Sequence, residues 1–346
     1  MKKFWEKLPK PFFCLAPMAD VTDAAFRRMF AKYGKPDVTW TEFVSADGLV
    51  SDGRKVLKYD LIYSEKERPI VAQLFSSHPA KMREAACYVA KLGFDGIDIN
   101  MGCPDRSIEK QGAGAAMMKD MKKAGEIIQA VKDGIDDAKV ASSATHRKNR
   151  KNMSISVKTR IGYGKNQINE WIPFLLAQDI DALTIHARTR KEMSLVPARW
   201  EHVKEVVEIR NKIGVKTKII GNGDVVDLKH GRELAKETGC DGIMIGRAVF
   251  GNPWIFGGER PCLKGARGKA SRSQEISTEQ KLKALLEHTK LYEKLLGKVK
   301  NFANMKKHYK AYVNGFDGAK ELRVKLMETH NYKEVEKIVN DFLKNH

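Results

Sequence analysis

Eight short β-rich runs alternate with amphipathic segments over about 250 residues, and this rhythm predicts an α/β chain built on a TIM (β/α)8 barrel. Two further observations point the same way. Several of the runs are almost continuously apolar, as strands covered on both faces must be. Most of the intervening segments end at a glycine able to cap a helix. Beyond position 277, Leu282, Leu285, Leu286, Thr289, Tyr292, Leu296 and Val299 recur at helical spacing. That face reads as the core of a small C-terminal helical domain. A doubly wound sheet is the alternative, because alternation alone does not prove closure.

In chain order the strands are FFCLAPM (12–18), VTWTEFVS (38–45), IVAQLF (70–75), GIDINMG (96–102), SISVKTRI (154–161), ALTIHAR (182–188), KIIGNGD (218–224) and GIMIGRA (242–248). Between them AKMREAACYVAKLG, KAGEIIQAVKDGI, ARWEHVKEVVEIRNKIG and KHGRELAKETG gather apolar residues on one helical face. The resulting boundaries are 1–256 for the barrel, 257–276 for a basic linker and 277–346 for the helical domain.

Composition narrows the function. Mean hydropathy is negative, and no apolar run approaches the roughly 18 residues that span a bilayer. Glu6, Lys7, Pro9, Lys10 and Pro11 interrupt any signal-peptide core, so a cytoplasmic location without membrane attachment is expected. The five cysteines form no CxxC pair and no zinc-finger spacing, so neither a structural metal nor a disulfide is expected. Net charge is +20, with 63 Lys and Arg against 43 Asp and Glu. The imbalance is denser in residues 257–346, which hold 20 basic and 11 acidic side chains, and it points to a polyanionic partner. No obligate protein partner is indicated.

In a barrel of this kind function sits where the strands end. The residues there are Pro17, Met18 and Ala19; Gln73; Asn100 and Cys103; Lys158 and Arg160; His186 and Arg188; Asn222, Gly223 and Asp224; Gly246 and Arg247. The turns GNGD and IGRA follow strands seven and eight, the usual phosphate seat, with Arg247 as a charge-assisted donor. Lys158 inside an apolar strand needs a buried acceptor, which the N1 and O2 edge of a flavin would supply. His186 reads equally as a core histidine or a ligand contact. The thiol of Cys103 is open to three readings, as nucleophile, proton donor or buried hydrophobe, and the GAGAAMM turn after it can approach a ligand closely.

Taken together, APMADVTDAAFR, VAQLF, DINMGCPDRSIEKQGAGAAMM, SVKTRIGY, IHARTR, GNGDV and GIMIGRAVFGNPWIF resemble in order and spacing the bacterial tRNA-dihydrouridine synthases, and MKKHYKAYVNGFDGAKELRVKLM resembles that family's tRNA-binding tail. The resemblance implies an FMN enzyme, reduced by NADPH, that converts a D-loop uridine of tRNA to 5,6-dihydrouridine. It implies flavin contacts at Pro17, Met18, Ala19, Gln73, Lys158, His186, Asn222, Gly223, Asp224, Gly246 and Arg247. It further implies Cys103 as proton donor to C5, with hydride passing from flavin N5 to C6, and Asn100 and Arg188 as substrate contacts. Ser194 and Val196 stand where the family usually carries an aromatic residue and a glycine. The stretch 139–153, with Arg147, Lys148, Arg150 and Lys151, reads as an insertion. In the tail Lys298, Lys300, Lys306 and Lys307 are candidate phosphate contacts. A flavin barrel acting on a small molecule and a nonenzymatic RNA-binding protein are the alternative readings.

Overall fold

The computed structural model describes residues 3–140, 153–257 and 276–345. The basic cluster at 147–151, most of the linker and Cys262 lie outside the described residues. All eight expected strands form: β1 (Phe12–Leu15), β2 (Thr39–Ser45), β3 (Ile70–Phe75), β4 (Gly96–Met101), β5 (Ser154–Arg160), β6 (Ala182–His186), β7 (Lys218–Asn222) and β8 (Gly242–Ile245). They pair in parallel in the order 1-8-7-6-5-4-3-2. A Cys14–Val38 bridge, with bonds from Leu15 N to Val38 O (3.2 Å) and from Asp37 N to Phe13 O (2.8 Å), joins β1 to β2. The sheet is therefore closed, and the doubly wound alternative falls.

β1 and β4 to β8 stop one to three residues before the expected ends. The residues beyond them leave the extended conformation to build the mouth. Gly223 (φ 134°) and Asp224 (φ 51°) have left the β region, and Pro17 has no N–H to offer a ladder.

Side chains alternate between two cores, as the two-residue strand period requires. Outward-facing Leu15, Val44, Leu74, Ile97, Ile99, Val157, Leu183, Ile185 and Ile243 pack under the helices. Inward-facing Phe12, Cys14, Trp40, Val71, Ala182, Ile220 and Met244 fill the barrel, with Trp5 closing its lower end through a bond from Nε1 to Ser154 Oγ (2.9 Å). Cys14 is thus a core residue.

The barrel helices are α1 (Ala24–Tyr33), α2 (Pro79–Leu92), α3 (Met121–Val140), α4 (Ile168–Leu176), α5 (Glu201–Ile213) and α6 (Leu228–Thr238). Helices α2, α5 and α6 end at Gly93, Gly214 and Gly239, each left-handed with φ of 85°, 82° and 72°. Gly134 is different. Helix α3 runs through it, because a Cβ there would stand 2.2 Å from Arg83 O of α2, so glycine is what lets the two helices touch.

Among the described residues the tail consists of α7 (Thr278–Leu296), α8 (Lys306–Tyr312), α9 (Ala319–Met327) and α10 (Tyr332–Asn345). Ser277 and Gln280 make a reciprocal capping box at the start of α7. Leu282, Leu285, Tyr292 and Leu296 are buried as the periodicity predicts, and their cluster extends onto Ala25 and Met29 of α1. Polar contacts cross the same junction. Glu287 accepts from Lys32 Nζ and from Tyr33 Oη (2.7 Å). Lys300 Nζ lies 2.9 Å from Glu42 Oε2 and 2.7 Å from Asp60 Oδ1, and Lys307 Nζ donates to Asp20 O (2.6 Å). Lys300 is therefore held against barrel carboxylates, a correction to its reading as a phosphate contact, and Lys307, exposed, is tied to a barrel carbonyl; Lys298 remains exposed. Among the described residues no helix is long and apolar enough to cross a membrane.

The junction also buries His288, whose two ring nitrogens find no partner. It packs against Phe26 (5.6 Å between centroids) and against His308 (4.8 Å). Burial depresses its pKa from 6.5 to about 3. The folded state therefore resists a proton that the unfolded chain accepts, so stability present above pH 6.5 declines as pH falls toward about 3. Thermal unfolding followed across that window should show a melting temperature that drops more steeply for the wild type than for His288→Phe.

Candidate active site

The C-terminal mouth of the barrel contains a cavity of about 270 Å³. Its walls come from the ends of β1 and β5 to β8: Pro17 and Met18, Lys158, His186 and Arg188, Asn222 to Val225, and Met244, Gly246 and Arg247, with Ser194 from the loop after β6. Lys158, His186 and Asn222 lie on the inward-facing columns that carry the barrel plug lower down, so the same period that fills the core arms the mouth. Gly246 leaves room there. A Cβ at this position would meet Ala16 Cβ at 3.8 Å and Met18 Sδ at 4.0 Å, ordinary contact distances, and would take up part of the cavity.

Cations dominate the walls. Burial and then the neighbouring Arg160 charge push the Lys158 ammonium down to about 8. Burial, followed by Arg160, Lys158, Arg188 and Arg247, holds His186 well below its ordinary value, so its imidazole is neutral. Arg188 Nη1 lies 3.1 Å from His186 Nε2. Because arginine only donates, Nε2 must accept, which leaves the proton on Nδ1. Arg188 also donates from Nε to Val196 O (2.6 Å) and from Nη2 to Asp224. The other Asp224 oxygen accepts from Arg247, and Ala198 N donates to the carboxylate at 2.8 Å. Burial alone would raise Asp224; the hydrogen bonds from Arg188 and Ala198 and the two arginine charges outweigh it and keep the carboxylate ionised.

The Cys103 group stands beside this cavity on β3 and β4. Asn100 pairs in register with Lys158, and Gln73 with Asp98. Asn100 Oδ1 accepts from Cys103 N (2.9 Å) and Gly102 N (3.2 Å), while Nδ2 donates to Gln73 Oε1 (3.1 Å). Gln73 Nε2 in turn donates to Asp98 Oδ2 (2.6 Å), and Ser156 Oγ to Asp98 Oδ1 (2.5 Å). Burial lifts Asp98 to about 6 despite these donors. A buried chain of polar groups thus runs from the barrel core to the cysteine loop. Cys103 itself is half-buried, and burial raises its pKa, so it is a neutral thiol near pH 7. A neutral thiol is an acid and a poor nucleophile.

The dihydrouridine synthase family model matches residues 14–346. This chain belongs to that family. A probable tRNA-dihydrouridine synthase of Staphylococcus aureus strain COL is 37% identical over 344 residues, 99% of this chain and 96% of that protein. The probable tRNA-dihydrouridine synthase 2 of Bacillus subtilis strain 168 is 37% identical over 344 residues, 99% and 97% of the two chains. A solved 2-naphthoyl-CoA reductase in complex with 2-naphthoyl-CoA superposes with a TM-score of 0.50 at 11% identity, over 71% of this chain and 49% of its own length, a likeness of fold alone.

Within this member of the dihydrouridine synthases, not every expected site residue lines the cavity. Gln73 is fully buried beneath Asn100 and does not line the cavity. Ala19 is exposed and does not line the cavity. Arg188, expected at the substrate, lines the cavity but is 2% exposed, with its nitrogens bonded to Val196 O, His186 Nε2 and Asp224. The glycine-rich turn meets Cys103 itself. Ala115 N donates to Cys103 O (2.9 Å), and a Cβ on Gly114 (φ 60°) would stand 2.8 Å from that oxygen.

Trp200 and Arg190 escaped sequence reasoning, and Arg160 was recognised at its strand end without a role. Trp200 lies over Gly221, where a Cβ would be 2.2 Å from its ring, and its Nε1 holds Gly223 O (3.0 Å). Arg160 Nε donates to Gly102 O (2.9 Å) and Nη1 to Thr189 O and Met193 O (3.1 Å each). Arg190 pairs with Glu109, tying the loop after β6 to the short helix Arg106–Lys110 beyond Cys103. The conspicuous Trp and the alternation of arginines were visible, but their partners are far away in the chain.

If Asn100 fixes the cysteine loop, site-resolved alkylation of Cys103 should be slow near neutral pH, with a midpoint above that of a free thiol. Asn100→Ala should accelerate labelling at Cys103 and leave Cys87 unchanged, as peptide mass spectrometry would show.

Proposed function

We propose that this chain reduces the C5–C6 double bond of a D-loop uridine in tRNA to 5,6-dihydrouridine, with FMN in the cavity and NADPH as electron donor. In this reading residues 1–256 are the FMN-binding catalytic domain, 257–276 a basic linker and 277–346 a tRNA-binding domain. The observation that carries it is the juxtaposition of a neutral, half-buried thiol with a cation-lined cavity, joined by the Asn100–Lys158 register. Full-length membership of the dihydrouridine synthases supports the substrate class.

The residues fit a flavin mononucleotide. Lys158 offers a buried ammonium to the ring edge that gathers negative charge on reduction. His186 presents Nδ1–H, and Pro17 and Met18 supply an apolar wall. Gly223, Gly246 and Arg247 offer space, backbone and charge to a phosphate at the ends of β7 and β8. When bound, the reduced flavin supplies a hydride from N5 to C6 of the uracil. Cys103 gives its thiol proton to C5, so the double bond gains one hydride and one proton, and the thiolate is reprotonated from water. Asn100 keeps a second Nδ2–H with which to hold the uracil while Oδ1 anchors Cys103. The uridine must leave its stack to enter the mouth.

Cys103→Ala should leave reduction of bound flavin by NADPH intact and slow dihydrouridine formation by about 10²–10⁴. Lys158→Ala and Arg247→Ala should instead loosen FMN, measured by quenching of its fluorescence. Unchanged turnover in the cysteine variant would remove Cys103 from the mechanism. For tRNA, reversing the exposed Lys298 together with Lys306 should weaken binding and flatten the salt dependence, by about one unit of log–log slope for each phosphate no longer neutralised. A filter-binding salt titration reads both.

A further inference from the structure

The loop that carries Pro17 and Met18 into the cavity turns at Asp20, which sits in the left-handed region with φ of 54°. That conformation is sparsely populated for a residue with a Cβ and persists where its surroundings hold it. The turn is partly self-supporting, with Thr22 Oγ1 accepting from Met18 N (2.9 Å) and Thr22 N donating to Met18 O (3.0 Å). Asp20 is held from outside. Its N–H donates to Glu42 Oε1 (2.6 Å), and its C=O accepts from Lys307 Nζ (2.6 Å). Glu42 is 4% exposed on β2, and its second oxygen is 2.9 Å from Lys300 Nζ. Lys300 also reaches Asp60, so one tail cation faces two barrel carboxylates away from bulk water.

From this geometry we propose that Lys300 and Lys307 are positioning residues: the tail sets the conformation of the Pro17–Asp20 loop and thereby shapes the wall of the cofactor cavity. The inference rests on the flavin reading of that cavity and assigns the tail a task separate from RNA contact. Lys307 acts directly on the Asp20 carbonyl. Lys300 acts through Glu42, because a buried carboxylate without its cation takes up a proton or turns toward water, and in either case its grip on the Asp20 N–H changes. A barrel deprived of the tail would lose both holds, so tail deletion should impair the cavity as well as RNA binding.

The test compares full-length Lys300→Met, Lys307→Met and the double variant Lys300→Met/Glu42→Gln by hydrogen–deuterium exchange and FMN titration. Both single variants should exchange faster in peptides spanning 16–23, with α7 unchanged, and should bind FMN about tenfold more weakly. The glutamine variant should recover much of the protection, since its amide oxygen still accepts from Asp20 N while the unpaired charge is gone. General loosening of tail docking would instead raise exchange across α1 and α7 and would not be rescued, and that outcome overturns the specific hold on the loop. Wild-type exchange at 16–23 in both single variants overturns the proposal. Faster exchange with unchanged FMN affinity overturns its link to the cavity. Should the wild type bind no FMN, the flavin reading fails on its own, and the exchange comparison still decides whether the tail holds the loop.

Discussion

The mouth of this barrel depends on the register between β4 and β5. Setting Asn100 opposite Lys158 places the support of the cysteine loop on the same inward level as the buried ammonium. A slip of one residue would turn both side chains into the helical layer, where Ile99 and Val157 now pack. The register is enforced from below by apolar alternation and by the bonds from Gln73 and Ser156 to Asp98. The polar chain is costly to bury, and each of its members is bonded to the next, which specifies one arrangement of the loop above it.

Electrostatics then divides the mouth. Burial, joined by the charges of Arg160, Lys158, Arg188 and Arg247, drives His186 to neutrality, while Asp224 accepts from two of the arginines. Excess positive charge in a partly desolvated cavity suits an anionic ligand. The cysteine, raised by its own burial, keeps its proton beside those cations. Acid and cation coexist within a short span because burial holds the thiol neutral, while the ammonium, lowered only to about 8, keeps most of its protons near pH 7.

The tail is bound to the barrel by two kinds of contact. An apolar seam joins α7 to α1 through Ala25 and Met29, and an ionic seam joins Lys300 to Glu42 and Asp60. The first supplies stability through buried area, and the second supplies direction, because an ion pair out of water tolerates few geometries. Lysine content alone could not separate these uses. Nine lysines between 281 and 310 look equivalent in the sequence, yet Lys300 is half-buried against carboxylates and Lys298 faces solvent.

By itself the sequence determined the eight strands, the glycine-capped helices and the strand-end set, because two-residue and 3.6-residue periods and turn chemistry are local properties. It also singled out Cys103, Lys158 and His186, since a reactive or charged side chain at the end of an apolar strand stands out from its neighbours. Tertiary structure decided what each residue touches. It set Gln73 beneath Asn100, bonded Arg188 at the cavity wall to His186 and Asp224, and brought the glycine turn against Cys103. It revealed Trp200 as the support of Gly223 and made Lys300 a partner of Glu42, 258 residues away. These contacts join distant segments whose meeting depends on barrel closure and register, and a one-dimensional pattern carries no term for either.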